Sequence, residues 1–147
     1  MKKLYLDVCT LCRPFDNQGV MRIRLETDAY YLILNGIQNK KYEMVISPVH
    51  FKEIESIEDI REKMHIIQLL HGYGKEPQYN FEQGKKRAEE LASAAFGIAD
   101  AAHVAFAEQA AEYFITCDDK LRKRSARTQC AIEIISPIEF CSTEDLR

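Results

Sequence analysis

Apolar positions along this chain fall into two alternating kinds of run. Short ones at Lys3 to Leu6, Tyr42 to Ile46, Tyr113 to Thr116 and Ala131 to Ile135 read as buried strands. Between them the apolar residues take helical spacing. One helix is predicted over Val20 to Ile37, ended by Gly36 and the polar Asn39-Lys40-Lys41. Ser47 suits an N-cap and Pro48 a first helical position, so a second helix starts there. It continues as helix over Ser56 to Leu70, where Ile57, Ile60, Met64, Ile67 and Leu70 keep near the i, i+3, i+4 spacing. Further helices are predicted over Phe81 to Ala95, after Gly97, and over the basic Lys120 to Ala126. Cys9 to Gly19, with Arg13-Pro14-Phe15-Asp16-Asn17, reads as loop, as does the stretch from Gly72-Tyr73-Gly74 to Pro77. Strands alternating with helices predict an α/β fold, a three-layer sandwich with a central parallel sheet covered on both faces. No linker, repeat or low-complexity stretch divides the chain, so residues 1–147 read as one domain.

Composition narrows the class. A chain of 147 residues is long enough to bury about 70% of its unfolded surface. The hydrophobic fraction of 46% and charged fraction of 29% are those of a globular protein in water. No apolar run approaches the roughly 20 residues that span a bilayer, and Asp7 interrupts the first one too early for a signal peptide. A cytoplasmic protein with no membrane association is expected. The five cysteines, Cys9, Cys12, Cys117, Cys130 and Cys141, are odd in number and irregularly spaced, which predicts reduced thiols. The net charge of −3 gives no global sign of nucleic-acid binding. Its distribution says more: Lys120, Arg122, Lys123, Arg124 and Arg127 gather directly after Asp118-Asp119.

The chemistry lies in a set of acids. Asp7 follows the first strand directly, and Asp118 and Asp119 follow the strand at Tyr113 to Thr116. Asp100 heads the helix before that strand, and Glu53 lies near the start of the helix after the second strand. Singly, each has an ordinary explanation: Asp100 complements a helix dipole, Asp118 caps the basic helix, and Glu53 sits on a solvated face beside Lys52 and Glu55. Together, a parallel sheet brings them to the edge where ligands bind in such folds. Two like charges ~4 Å apart repel by about 4 kcal/mol at an effective dielectric of 20. Several such acids therefore call for a cation, and all-oxygen ligation suits Mg²⁺ or Mn²⁺ better than zinc.

Four short motifs in order carry a family resemblance. They are Leu6-Asp7 with Arg13-Pro14-Phe15-Asp16, the segment Ser47 to Glu53, Asp100-Ala101-Ala102-His103, and Thr116-Cys117-Asp118. With them the chain resembles the PIN-domain nucleases, particularly the VapC-like ribonuclease toxins of toxin–antitoxin pairs. The stretch from Glu58 to Ala95 adds little to the match. The resemblance implies a PIN-like sandwich and a catalytic set of Asp7, Glu53, Asp100 and Asp118. It implies metal ligation by Asp7, Asp100 and Asp118, with Asp119 as substitute or helper, and Glu55 is an alternative to Glu53. Thr116 takes the family's hydroxyl position, while Cys9 stands where members often carry Asn or Thr. The implied reaction is Mg²⁺- or Mn²⁺-dependent hydrolysis of RNA, with Arg13, Thr116, Lys120, Arg122, Lys123 and Arg124 toward the substrate. A small antitoxin covering the acidic cleft is the implied partner, and a homodimer is left open.

Other features weigh less. Cys9-Thr10-Leu11-Cys12 has redox spacing, but zinc would need two further ligands and none follow at finger-like spacing. His50, His65 and His71 show no ligand spacing, and His103, one turn after Asp100, reads first as a hydrogen-bonded structural residue. No glycine-rich phosphate loop is present. A catalytically inert PIN-like module that binds RNA or protein is the main alternative. A receiver-like phosphoacceptor ranks lower, because Ile135-Ser136-Pro137 offers no lysine after the last strand.

Overall fold

The computed structural model describes residues 1–94 and 96–147; Ala95, the last residue of the helix expected from Phe81, lies outside them. Five parallel strands form the central layer: β1 (Lys2–Leu6), β2 (Tyr42–Val45), β3 (Gly74–Lys75), β4 (Tyr113–Ile115) and β5 (Glu133–Ile135). Their spatial order is β3-β2-β1-β4-β5. The chain thus builds outward from β1 in one direction, then crosses to the other side for β4 and β5. Leu6 pairs with Ile115 across that reversal. At such a switch point the strand ends part and leave a crevice.

Around the sheet lie, among the described residues, α1 (Val8–Cys12), α2 (Met21–Gln38), α3 (Pro48–Ile54), α4 (Ile60–Tyr73), α5 (Phe81–Ala94), α6 (Ile98–Ala110), α7 (Asp119–Arg127) and α8 (Pro137–Thr143). Alternation along the strands separates two cores. Leu4, Leu6, Met44 and Ile115 pack with Ile33, Ile66, Leu70 and Phe140 from α2, α4 and α8. Tyr5, Val45 and Phe114 face the opposite way, onto Leu91, Ala101, Val104 and Leu121 from α5, α6 and α7. The three-layer parallel sandwich expected from the sequence is the fold observed. No helix among the described residues is long and apolar enough to cross a membrane.

Four local expectations are corrected. Cys9 to Gly19 is not all loop: α1 starts immediately after Asp7, which caps it, and a 3₁₀ turn follows at Arg13–Phe15. The segment after Ser47 is two helices, not one; α3 ends at Ile54, and Asp59 caps α4 through the N–H groups of Arg61 and Glu62. Such a cap is worth about 1 kcal/mol, enough to restart the helix. Gly72 to Gly74 does not break the chain to loop. α4 runs to Tyr73 and Gly74 opens a fifth strand, where a Cβ would stand 2.5 Å from the Leu70 carbonyl. Finally, α8 follows β5, with Ser136 as N-cap and Pro137 at N1. That is the Ser-Pro start seen at Ser47-Pro48.

Candidate functional site

The C-terminal ends of β1 and β4 deliver the first acids. Asp7, 6% exposed, caps α1: its Oδ1 accepts from the Thr10 N–H (3.1 Å), the Thr10 hydroxyl (2.7 Å) and the Cys9 thiol (3.1 Å). Its Oδ2 accepts from the Thr116 hydroxyl at 2.5 Å. Burial lifts the Asp7 carboxyl above the ordinary aspartate range, while the hydrogen bonds from Thr116, Thr10 and Cys9 work against that rise. The Thr116 oxygen also accepts the Asp118 N–H at 3.0 Å, so one buried hydroxyl ties both acid-bearing strand ends together. Asp118 caps α7 through Oδ1, which accepts from Lys120 N and Leu121 N at 2.9 and 3.2 Å. The capping role and a place at the site are therefore compatible, because one carboxylate oxygen suffices for the cap.

Asp100 sits in the first turn of α6, beyond Gly97, which offers no side-chain cap. Its carboxyl is pushed up to about 6, first by burial and then by Asp118, Asp7 and Glu53. Those three acids raise it through space, so their charges are felt at the head of α6. Glu53 reaches the cluster from α3 and accepts at Oε1 from His103 Nε2 at 2.9 Å. Glu55, its alternative, lies beyond the end of α3 and pairs loosely with Lys52 at 3.9 Å.

Behind Glu53 runs a buried string that sequence reasoning missed. His103 Nδ1 is 2.5 Å from the Tyr5 hydroxyl, which lies 2.7 Å from Ser47 Oγ. Ser47 Oγ accepts the Val49 N–H at 3.2 Å. His50 packs on Tyr5 and His103 with ring centroids 4.6 and 5.2 Å away. Its Nδ1 accepts the Ser47 N–H and its Nε2 donates to the Leu6 carbonyl. Burial drives the His50 ring down to about 3, so it is uncharged. His103 thus reaches Glu53, not Asp100 one turn before it.

The remaining predicted residues lie on the flank. Asp119 is turned from the cluster toward Arg22, whose Nη1 and Nη2 donate at 2.5 and 2.6 Å, and toward Arg122. Arg122 also donates to Glu139 at 2.7 Å. Arg13 donates from Nε and Nη2 to the buried Glu26 at 3.1 and 2.8 Å, and to Asp16 at 3.0 Å. Lys120 and Lys123 are exposed on α7 and Arg124 is half-buried. All five cysteines are free, and the Cys9 thiol is pushed well above its ordinary range by burial and by Asp7, which makes it a proton donor.

The donor set of Asp7, Glu53, Asp100 and Asp118 is all oxygen, which is the chemistry a hard divalent cation requires. Among the described residues, no group of three or more His, Cys, Asp or Glu stands close enough together to hold a metal ion. The four acids match a hard cation in donor type, and their side chains as they stand do not form a coordination shell.

The sequence matches no protein-family model and no curated protein. The fold is similar to two solved structures. FitAcB from Neisseria gonorrhoeae is 14% identical, with 91% of this chain and 97% of that one covered and a TM-score of 0.53. FitAB bound to an IR36 DNA fragment is 15% identical, with 92% and 95% covered and a TM-score of 0.55. At these identities the likeness is one of fold, and the fold is PIN-like.

Proposed function

We propose that this chain is a divalent-metal-dependent endoribonuclease of the PIN type, acting as the toxin of a toxin–antitoxin pair. One observation carries the reading: burial, and after it the charges of Asp118, Asp7 and Glu53, push the Asp100 carboxyl up to about 6, beside the switch point of a parallel sheet. In this reading Asp7, Asp100 and Asp118, with Glu53, hold Mg²⁺ or Mn²⁺. The bound cation supplies acidification of water and stabilisation of the leaving oxygen of a phosphodiester. Thr116 fixes the Asp7 carboxylate through its hydroxyl, and the capping bonds fix Asp118 at the head of α7. Lys120, Lys123 and Arg124 carry the flanking phosphates, which positions a strand without reading its sequence. Arg13 and Arg122 spend their donors on Glu26, Asp16, Asp119 and Glu139, so their part in phosphate binding is smaller.

The likeness to FitAB, solved with a DNA fragment, supports a setting in which nucleic acid and a small partner protein meet this fold. A partner that places an arginine among the four carboxylates suits the charge of the cleft. Co-expression with a small neighbouring protein that copurifies and suppresses cleavage supports the toxin reading; failure to bind any such protein removes it. The nuclease reading is tested by Mn²⁺ titration with cleavage of a single-stranded RNA, in wild type and Asp7→Asn. Saturable binding with metal-dependent cleavage, both lost in Asp7→Asn, is expected; full activity in the variant sinks the mechanism. One observation favours the inert-module alternative: among the described residues, no group of three or more His, Cys, Asp or Glu stands close enough together to hold a metal ion. Product formed only in Mg²⁺ or Mn²⁺ separates the two.

A further inference from the structure

We infer that Tyr5, Ser47 and His103 are positioning residues that set the carboxylate of Glu53, an inference resting on the reading of the acid cluster as a divalent-cation site. The side chain of Glu53 is 31% exposed, whereas His103 is 1% exposed and Tyr5 and Ser47 are fully buried. An unrestrained glutamate at that depth would sample several rotamers. Here it is the one wet end of an otherwise dry string.

The hydrogens along the string can be assigned from its ends. Ser47 Oγ accepts from the Val49 N–H, so its own hydrogen is free to go to the Tyr5 oxygen. Tyr5 then donates to His103 Nδ1, which leaves Nε2–H to donate to Glu53 Oε1. Every member donates once, and Glu53 receives the bond as a carboxylate. The inner end stops at a backbone amide, so no proton can pass through to solvent. A closed string of this kind orients; it does not shuttle.

Its anchor points explain why orientation matters. Tyr5 belongs to β1, which leads directly into Asp7; Ser47 caps α3, which carries Glu53; His103 belongs to α6, which carries Asp100. The string therefore joins the three elements that present three of the four acids. His50 lines the same space but spends its ring nitrogens on the Ser47 amide and the Leu6 carbonyl, so it braces the string without joining it. Outer partners of this kind typically change metal affinity by 10–100-fold when removed.

Mn²⁺ binding by calorimetry on wild type, Tyr5→Phe, Glu53→Gln and the double variant tests the inference, with thermal unfolding confirming that each is folded. Tyr5→Phe is expected to weaken Mn²⁺ roughly tenfold and to add little to the loss in Glu53→Gln, because it acts through that carboxylate. An equal further loss in the Glu53→Gln background overturns the inference. Nitrogen-15 NMR of metal-free wild type supplies a second readout that needs no variant. A His103 ring protonated at Nε2 with unprotonated Nδ1 supports the string, and the reverse tautomer overturns it. Should wild type bind no Mn²⁺, the metal reading is lost. The positioning of Glu53 is then decided by whether the Nε2–H signal shifts in Glu53→Gln, as the string requires, or stays unmoved, which rejects it.

Discussion

Two groups of acids stand on neighbouring parts of this molecule and are treated in opposite ways. Glu26, Asp16, Asp119 and Glu139, around the start of α2 and α7, are each met by a guanidinium from Arg13, Arg22 or Arg122. Asp7, Asp100, Asp118 and Glu53, at the strand ends, have no lysine or arginine ion pair among the described residues; Glu53 alone has a histidine. Burial is not what separates the groups, since Glu26 is 1% exposed and Asp7 is 6% exposed. What separates them is whether the chain provides its own countercharge. The first group is neutralised from within the chain, and the second is left without a lysine or arginine partner among the described residues.

The sharpest way to break this comparison is to neutralise one acid from each group. Asp7→Asn is expected to lower RNA cleavage by about a thousandfold, roughly 4 kcal/mol of barrier, while Asp119→Asn stays within about threefold. Equal losses in a metal-dependent cleavage assay would erase the distinction. Next in size is Glu26→Gln. Removing the buried carboxylate leaves the Arg13 guanidinium with Asp16 alone, so chemical unfolding should show a loss of about 3 kcal/mol, with Mn²⁺ affinity little changed.

A smaller effect of opposite sign is expected at Asp100 in metal-free protein. Its carboxyl titrates near 6 when folded, against 3.8 ordinarily. Between those values the native state holds a proton that the unfolded chain has released, so stability falls as pH rises from about 4 to about 6 and stays reduced above. Asp100→Asn should therefore be more stable than wild type at pH 7.5 by about 1–2 kcal/mol after allowing for solvent, with the gain vanishing near pH 4. A gain that persists at pH 4 would point to packing instead of charge. Smallest is the phosphate track: Lys123→Ala should reduce the salt slope of RNA binding by about 1. Arg122→Ala should reduce it less, because that side chain already serves Asp119 and Glu139.

Sequence patterning located the strands of the sheet's centre well, because β1, β2 and β4 are short apolar runs bounded by polar residues. It did less well where an element is too brief for any period to register. Gly74–Lys75 is two residues long, and α1 is a single turn and a half whose capping residue, Asp7, had been assigned to the site alone. Asp7, Asp100 and Asp118 sit where strand ends and helix starts were expected to place them, but Glu53 does not: it lies in the last turn of α3, not near a helix start. Asp118 and Asp119 were not separable that way: neighbouring helical positions differ by about 100° in direction, and the positions of Arg22 and Arg122 decide which acid turns to the flank. Glu53 and His103 lie 50 residues apart, so their contact exists only once α3 and α6 pack together. Ser136-Pro137 carries a Ser-Pro helix start of the same kind as Ser47-Pro48, and α8 follows from it.

The margins of the sheet carry a final consequence. Its outermost strands are two and three residues long, so each rim exposes too few backbone groups to template an added strand from another molecule. Fibril-like growth and strand exchange are thereby discouraged.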